Sequence, residues 1–164
     1  MSKTMENLKA AFAGESQANR KYLAFAEKAE AEGFKGAAQL FRAAAAAETV
    51  HAHNHLRAMK GIRSTKENLE EAFAGETHEF KNMYPDMIAA AKEEGEAAAE
   101  RSFTFANEVE KVHADLYKAA MADPAAIPAE GYYVCKICGY THPKSAPEKC
   151  PVCGASEKAF FKVE

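Results

Sequence analysis

No apolar run in the 164 residues approaches the ~20 that span a bilayer, and the opening from Met1 to Leu8 lacks the apolar centre of a signal peptide. No membrane partner and no secretory leader are therefore expected, and the chain is expected to be cytoplasmic. A basic block is missing as well. With a net charge of −3 spread along the chain, nucleic acid is not an expected partner. Cysteine is absent until Cys135, and all four lie between Cys135 and Cys153. In a reducing compartment a cluster so confined argues for metal binding and against disulfides. Proline is nearly absent from the long first part, where only Pro85 stands before Pro124. The length suits one main domain with a small appendage.

What the chain does contain, it contains twice. Glu48-Thr49-Val50-His51 and Glu110-Lys111-Val112-His113 share the Glu-x-x-His spacing, and each follows another glutamate at almost the same distance. Glu15 stands ahead of Glu48 much as Glu76 stands ahead of Glu110, the second interval being longer by a single position. The flanks agree: Asn7 to Ser16 reads NLKAAFAGES and Asn68 to Thr77 reads NLEEAFAGET. Residues three apart on a helix share a face, so each Glu-x-x-His can hold one metal ion or two adjacent ones. One copy would be weak evidence in a Glu-rich helix. Two copies, each with its upstream glutamate, match the ligand pattern of ferritin-like di-iron or di-manganese bundles, a well-known class: one Glu from each of two helices and Glu-x-x-His from each of the other two.

The helical periodicity predicts four helices. Helix A runs from about Thr4 to Glu32, with Leu8, Ala11, Phe12, Glu15, Tyr22, Phe25 and Ala29 on one stripe and Gly33 as its stop. A carboxylate on a core stripe needs compensation, which a metal would supply. Helix B occupies roughly Gly36 to Met59, where His51 keeps the repeated spacing, His55 follows one turn later and His53 points elsewhere. Ser64 and Glu67 suit a capping box for helix C, about Thr65 to Glu94, with a kink expected at Pro85. Glu79 follows Glu76 by three residues and could add a fifth carboxylate, and His78 points off that face. Helix D runs from about Gly95 to Ala122 and carries Phe103, Phe105, Glu110, His113 and Tyr117.

Asp123 to Glu130, with Pro124 and Pro128, reads as a linker. The expected division is therefore residues 1–122, a four-helix domain, 123–130, a linker, and 131–164, a small β-rich metal domain. A strand through Tyr132, Tyr133 and Val134 leads into Cys135-Lys136-Ile137-Cys138-Gly139, and Cys150-Pro151-Val152-Cys153-Gly154 follows after a loop. Two Cys-x-x-Cys turns backed by glycine form a strong tetrahedral four-sulfur signal, which does not by itself separate zinc from iron. Phe160 and Phe161 are expected to complete this small core with the tyrosines.

Taken together, these motifs resemble the rubrerythrin family along the whole chain: an all-α ferritin-like four-helix bundle followed by a rubredoxin-like domain. The resemblance implies di-iron ligands at Glu15, Glu48, His51, Glu76, Glu79, Glu110 and His113, and a mononuclear iron on Cys135, Cys138, Cys150 and Cys153. It assigns supporting roles to Tyr22 and Tyr84, which stand at related positions in the two repeats. It also implies a redox-dependent exchange, with His51 on one iron when reduced and Glu79 replacing it when oxidised. The activity implied is reduction of hydrogen peroxide to water, with electrons relayed through the four-cysteine iron from an external NAD(P)H-linked reductase.

The joint between the halves constrains assembly. Helix B is ~36 Å long by helical rise, whereas the six residues Lys60 to Thr65 reach only ~20 Å. They cannot make the long crossover of a ferritin-like bundle. Either the bundle is a simple up-down-up-down one, or helices A and B of one chain pair with C and D of another in a homodimer with exchanged helix pairs, which is the favoured expectation. The alternative function is a ferroxidase or iron-handling ferritin-like protein with a structural four-cysteine zinc ribbon. A di-manganese catalase would give the four cysteines no role, and a metal-free interaction module would leave the repeated glutamates unexplained.

Overall fold

The computed structural model describes residues 2–127 and 130–163. Among the described residues five α-helices, Lys3–Ala31 (α1), Lys35–Ala58 (α2), Thr65–His78 (α3), Tyr84–Glu94 (α4) and Ala97–Ala122 (α5), precede three short strands. The strands are Tyr132–Cys135 (β1), Thr141–Pro143 (β2) and Phe160–Val163 (β3). The architecture is mostly helical, with a small antiparallel appendage that carries the four cysteines. The chain forms two compact units, Met1–Arg63 and Ser64–Glu164.

The first unit is the helix pair α1 and α2. Gly33, at φ +85°, ends α1 in the left-handed conformation that glycine tolerates, and Gly33 and Phe34 N–H groups return to the Glu30 and Ala29 carbonyls at 3.0 and 2.8 Å. Alanines seal the contact: Ala26, Ala29, Ala38, Ala45 and Ala52 are buried. The poly-alanine stretch before Glu48 thus contributes a close-packed residue, Ala45, beside the ligand-bearing turn. Elsewhere this unit exposes large apolar side chains, Leu23, Phe25, Leu40 and Val50, the last three at 47%, 70% and 56%. Phe25 is therefore part of the apolar stripe but not of a buried core.

The second unit opens with the predicted capping box, Ser64 accepting from the Glu67 N–H and Glu67 from the Ser64 N–H. Between α3 and α4 the helix widens into a π-helical segment, Glu79–Met83, whose hydrogen bond runs from the Tyr84 N–H to the Glu79 carbonyl. Its cause is visible in the repeat. The offset that relates Asn7 to Asn68 also relates Glu15 to Glu76, whereas Tyr22 to Tyr84, like Glu48 to Glu110, needs an offset longer by a single position. One residue has been added between Glu76 and Tyr84, and at 100° per residue it would turn everything beyond it off its face. A single wide turn absorbs it. Pro85 stands in the first turn of α4, just after this change of register, where a missing N–H costs least.

In the C-terminal part β1 is the central strand, with β2 and β3 antiparallel on either side. Tyr133 faces His142 and Lys162 in register, and Cys135 faces Phe160. Phe160 packs edge-on to Tyr140 at 6.4 Å, as expected of a small core, but Phe161 is 43% exposed. Strand alternation explains the difference, since adjacent residues point to opposite faces. Of the linker, Pro128 lies outside the described residues, and Asp123 caps a 3-10 turn at Pro124–Ala126 by accepting from the Ala125 N–H.

Candidate metal centres

Each unit gathers a Glu, Glu, His triad whose ligand atoms lie within 4.8 Å of one another. In the first, α1 supplies Glu15 and α2 supplies Glu48 and His51. His51 Nδ1 lies 2.9 Å from Glu48 Oε2 and 3.7 Å from Glu15 Oε1. The Asn19 amide, one turn beyond Glu15, donates to the Ala45 carbonyl at 2.7 Å and to Thr49 Oγ1 at 2.8 Å, fastening the two helices beside the triad. His51 and then Glu15, hydrogen-bonded to Glu48, hold its carboxyl below the usual carboxylate range.

The second triad repeats this geometry in deeper surroundings: Glu76 from α3, and Glu110 and His113 from α5. His113 Nδ1 lies 2.6 Å from Glu110 Oε2 and 3.8 Å from Glu76 Oε2. The His113 side chain is 27% exposed against 53% for His51. Burial, with the hydrogen bond and charge of Glu110, pushes Glu76 up to about 7. Burial works against the Glu110 anion, yet hydrogen bonds from His113 and Glu76 pull its pKa down, and Glu110 in turn raises that of His113. Two carboxyls within hydrogen-bonding reach of each other, with an imidazole nitrogen facing both, have the donor chemistry of an iron or zinc site.

Around this triad the remaining groups take distinct places. Glu79 opens the wide turn, and burial followed by the charge of Glu110 raises its pKa. It feels the triad without joining it: among the described residues it is not in the 4.8 Å cluster. Burial, followed by the charges of Glu79, Glu110 and Glu76, pushes the Tyr84 phenol up, so Tyr84 shares the field of the triad's carboxylates. The wide turn is what returns it there. Tyr22 packs in the first unit with Phe25 and Phe41 at 6.4 and 6.2 Å between ring centroids. His53 and His78 are exposed, as their helical phase predicts, and His55 is half-buried.

The four cysteines meet at the tips of the two turns. Cys135 and Cys153 sulfurs are 3.7 Å apart and those of Cys138 and Cys150 3.5 Å apart. A tetrahedron with metal–sulfur bonds of ~2.3 Å has edges of about 3.8 Å, so this cage is sized for iron or zinc. Gly139 and Gly154, at φ +84° and +76°, close the turns with N–H bonds to the Cys135 and Cys150 carbonyls. Burial raises Cys138 and Cys153, while backbone N–H groups of Cys153 and Val152 overcome burial at Cys150 and lower it. All four thiols are free.

The family profile described as rubrerythrin matches residues 6–121, and that of the rubrerythrin rubredoxin-like domain matches residues 133–161. The chain belongs to the rubrerythrin family. Rubrerythrin-2 of Clostridium acetobutylicum is 34% identical, with 96% of this chain and 95% of that protein covered. Nigerythrin of Nitratidesulfovibrio vulgaris is 39% identical, with 96% and 85% covered. Solved structures of nigerythrin in mixed-valence and fully reduced, all-ferrous states match with a TM-score of 0.60, at 38% and 37% identity, covering 99% of this chain and 88% of that one.

The cofactors of this rubrerythrin-family chain are a di-iron centre and a single iron on Cys135, Cys138, Cys150 and Cys153. Two further residues border the second triad outside the repeated ligand pattern. Tyr117 lies one turn beyond His113, its phenol pushed up by burial and by Glu76 and Glu110. Together with Leu69, Glu76, His113, Tyr132 and Thr141 it lines a cavity of about 410 Å³ beside the triad. The second is Thr141 itself, whose hydroxyl lies 2.9 Å from His113 Nε2. At the offset that relates Glu48 to Glu110 the counterpart of Tyr117 is His55, so the repeat gives no tyrosine to compare.

Proposed function

We propose that this chain reduces hydrogen peroxide to water, with the four-cysteine iron returning electrons from an external NAD(P)H-linked reductase. The observation that carries the reading is the joining of two kinds of site within Ser64–Glu164: the turn of Cys135 and Cys138 reaches the triad histidine His113 through Thr141. A four-thiolate site has no open position for substrate and suits one-electron relay. Glu15, Glu48, His51, Glu76, Glu79, Glu110 and His113 would hold the irons, which would supply the two electrons needed to break the O–O bond.

The chain's own residues then have separable tasks. The five glutamates and two histidines hold the charge of the centre. Tyr84 and Tyr117, whose phenols feel the charges of Glu76 and Glu110, are the proton donors assigned to oxygen leaving as water. Tyr22 is assigned the matching place in the first repeat. The cavity beside Glu76 and Tyr117 is the route offered to a small oxidant.

We assign the complete bundle to a homodimer with exchanged helix pairs. Each unit holds half of the repeated ligand set, the joint Met59 to Ser64 is too short for a crossover, and the α1–α2 pair exposes Phe25, Leu40 and Val50 for a partner's helices to cover. A cytoplasmic setting would keep the four thiols reduced until iron binds. Protein with iron in the helical site and zinc in the four-cysteine site tests the relay. Reductase-driven turnover is expected to be lost while a single oxidation by peroxide survives; undiminished turnover would contradict the proposal.

A further inference from the structure

We propose that Thr141 is a positioning residue for the helical metal site, setting which nitrogen of His113 faces the metal and thereby making the docked four-cysteine domain part of that site. The inference rests on the di-metal reading above and adds to it a residue outside both ligand sets. Its basis is proton accounting. A threonine hydroxyl has one proton to give. Thr141 donates it to the Gly139 carbonyl at 3.1 Å, and the Gly139 N–H is itself bound to the Cys135 carbonyl at 2.9 Å. Toward His113 Nε2, at 2.9 Å, the hydroxyl can then only accept. Nε2 therefore carries a hydrogen, and Nδ1 is left to face Glu110 and Glu76.

The bias matters because Glu110 pulls the other way. With Nδ1 2.6 Å from its carboxylate, a neutral imidazole without Thr141 is drawn to keep its single hydrogen on Nδ1, where it blocks a metal. Thr141 opposes that pull by accepting at Nε2, so the hydrogen that stays on the ring when a metal takes Nδ1 is the one it holds. It does so from a backbone position stiffened by β2 pairing with β1, where Thr141 stands opposite Val134, and Gly139 lies 3.9 Å from Val109 of α5 as measured to an added Cβ. The first triad has no such partner among the described hydrogen bonds of His51, whose recorded polar neighbours, Glu48 and Glu15, both face Nδ1. The histidine of the second triad is thus expected to be the better fixed of the two. Partners of a ligand's far nitrogen commonly change metal affinity by ~10–100-fold.

The test uses the full chain loaded with zinc, which is diamagnetic and lets the ring be seen by NMR. In the parent protein the His113 Nε2–H is expected as a low-field, slowly exchanging proton, with Nδ1 showing the shift of a metal-bound nitrogen. In T141V that proton should exchange freely and zinc should leave the helical site to a competing chelator ~10-fold more readily or faster. Zinc on the four cysteines should be retained, and T141S should restore both signals. T141V with the parent's ring resonance and zinc affinity, or T141S no better than a T141V chain that has lost its four-cysteine zinc, would overturn the role of Thr141. A parent chain that takes zinc at the four cysteines alone would overturn the di-metal reading itself, and with it this inference.

Discussion

At Glu76 burial and the neighbouring Glu110 carboxylate raise the pKa to about 7, while His113 is raised as well. The sign follows from which form the site keeps. Between the ordinary carboxylate pKa and about 7, the folded metal-free protein holds a proton on Glu76 that the unfolded chain has lost. This group therefore favours folding most at the acid end, and its contribution falls as pH rises through 7. A metal must displace that proton. Iron or zinc affinity of the helical site is expected to rise with pH through about 7, with proton release on binding. Calorimetry in buffers of different ionisation enthalpy measures that release directly. Binding with no proton release at pH 6 would contradict the assignment.

Among elements, the wide turn Glu79–Met83 is the one whose origin can be tested by removing a residue. Deleting exposed Lys81 gives the second half the spacing of the first, so the turn should close to a regular α-helix with Tyr84 and Ala91 kept on their faces. Deleting exposed Asp86 from regular α4 has no such absorber and rotates buried Ala91 away, which is expected to cost ~2 kcal/mol or more. Far-UV helicity and the urea midpoint of both variants distinguish them. Similar losses in the two would show that the turn is not absorbing an inserted residue.

Much at this scale was legible in the residues alone. Four helical stretches, the Ser64 capping box and the knuckle glycines Gly139 and Gly154 are local in sequence, and local chemistry determines them. Even the wide turn is written in the repeat, whose offset lengthens by a single position between Glu76 and Tyr84. Thr141 was not legible, and Tyr117, though one turn beyond His113 on the same helix, has no tyrosine at the matching place in the first repeat. Thr141 meets His113 from a distant part of the chain, through the docking of a strand on a helix that no periodicity encodes. Phe161 was misplaced by pairing it with Phe160, when a strand sends neighbours to opposite faces.

For the whole molecule, exchange of helix pairs has a consequence in complementation. One variant carries E15A and E48A, and the other E76A and E110A. Neither alone has an intact ligand set. In an exchanged dimer of one copy each, the two intact units meet in one site and the two damaged units in the other. Statistical mixing after unfolding and refolding should therefore recover about a quarter of the parent's helical-site iron. A bundle closed within one chain would recover none. Iron analysis together with light scattering reads both outcomes.

The most direct measurement is anaerobic stopped-flow absorbance of fully reduced, iron-loaded protein, mixed separately with hydrogen peroxide and with O2. Rapid oxidation by peroxide, slow reaction with O2 and bleaching and return of the four-cysteine iron's colour when a reductase is added are the predicted results. Preference for O2, or a four-cysteine site that never changes colour, would contradict the peroxidase account and favour an iron-oxidising protein with a structural ribbon.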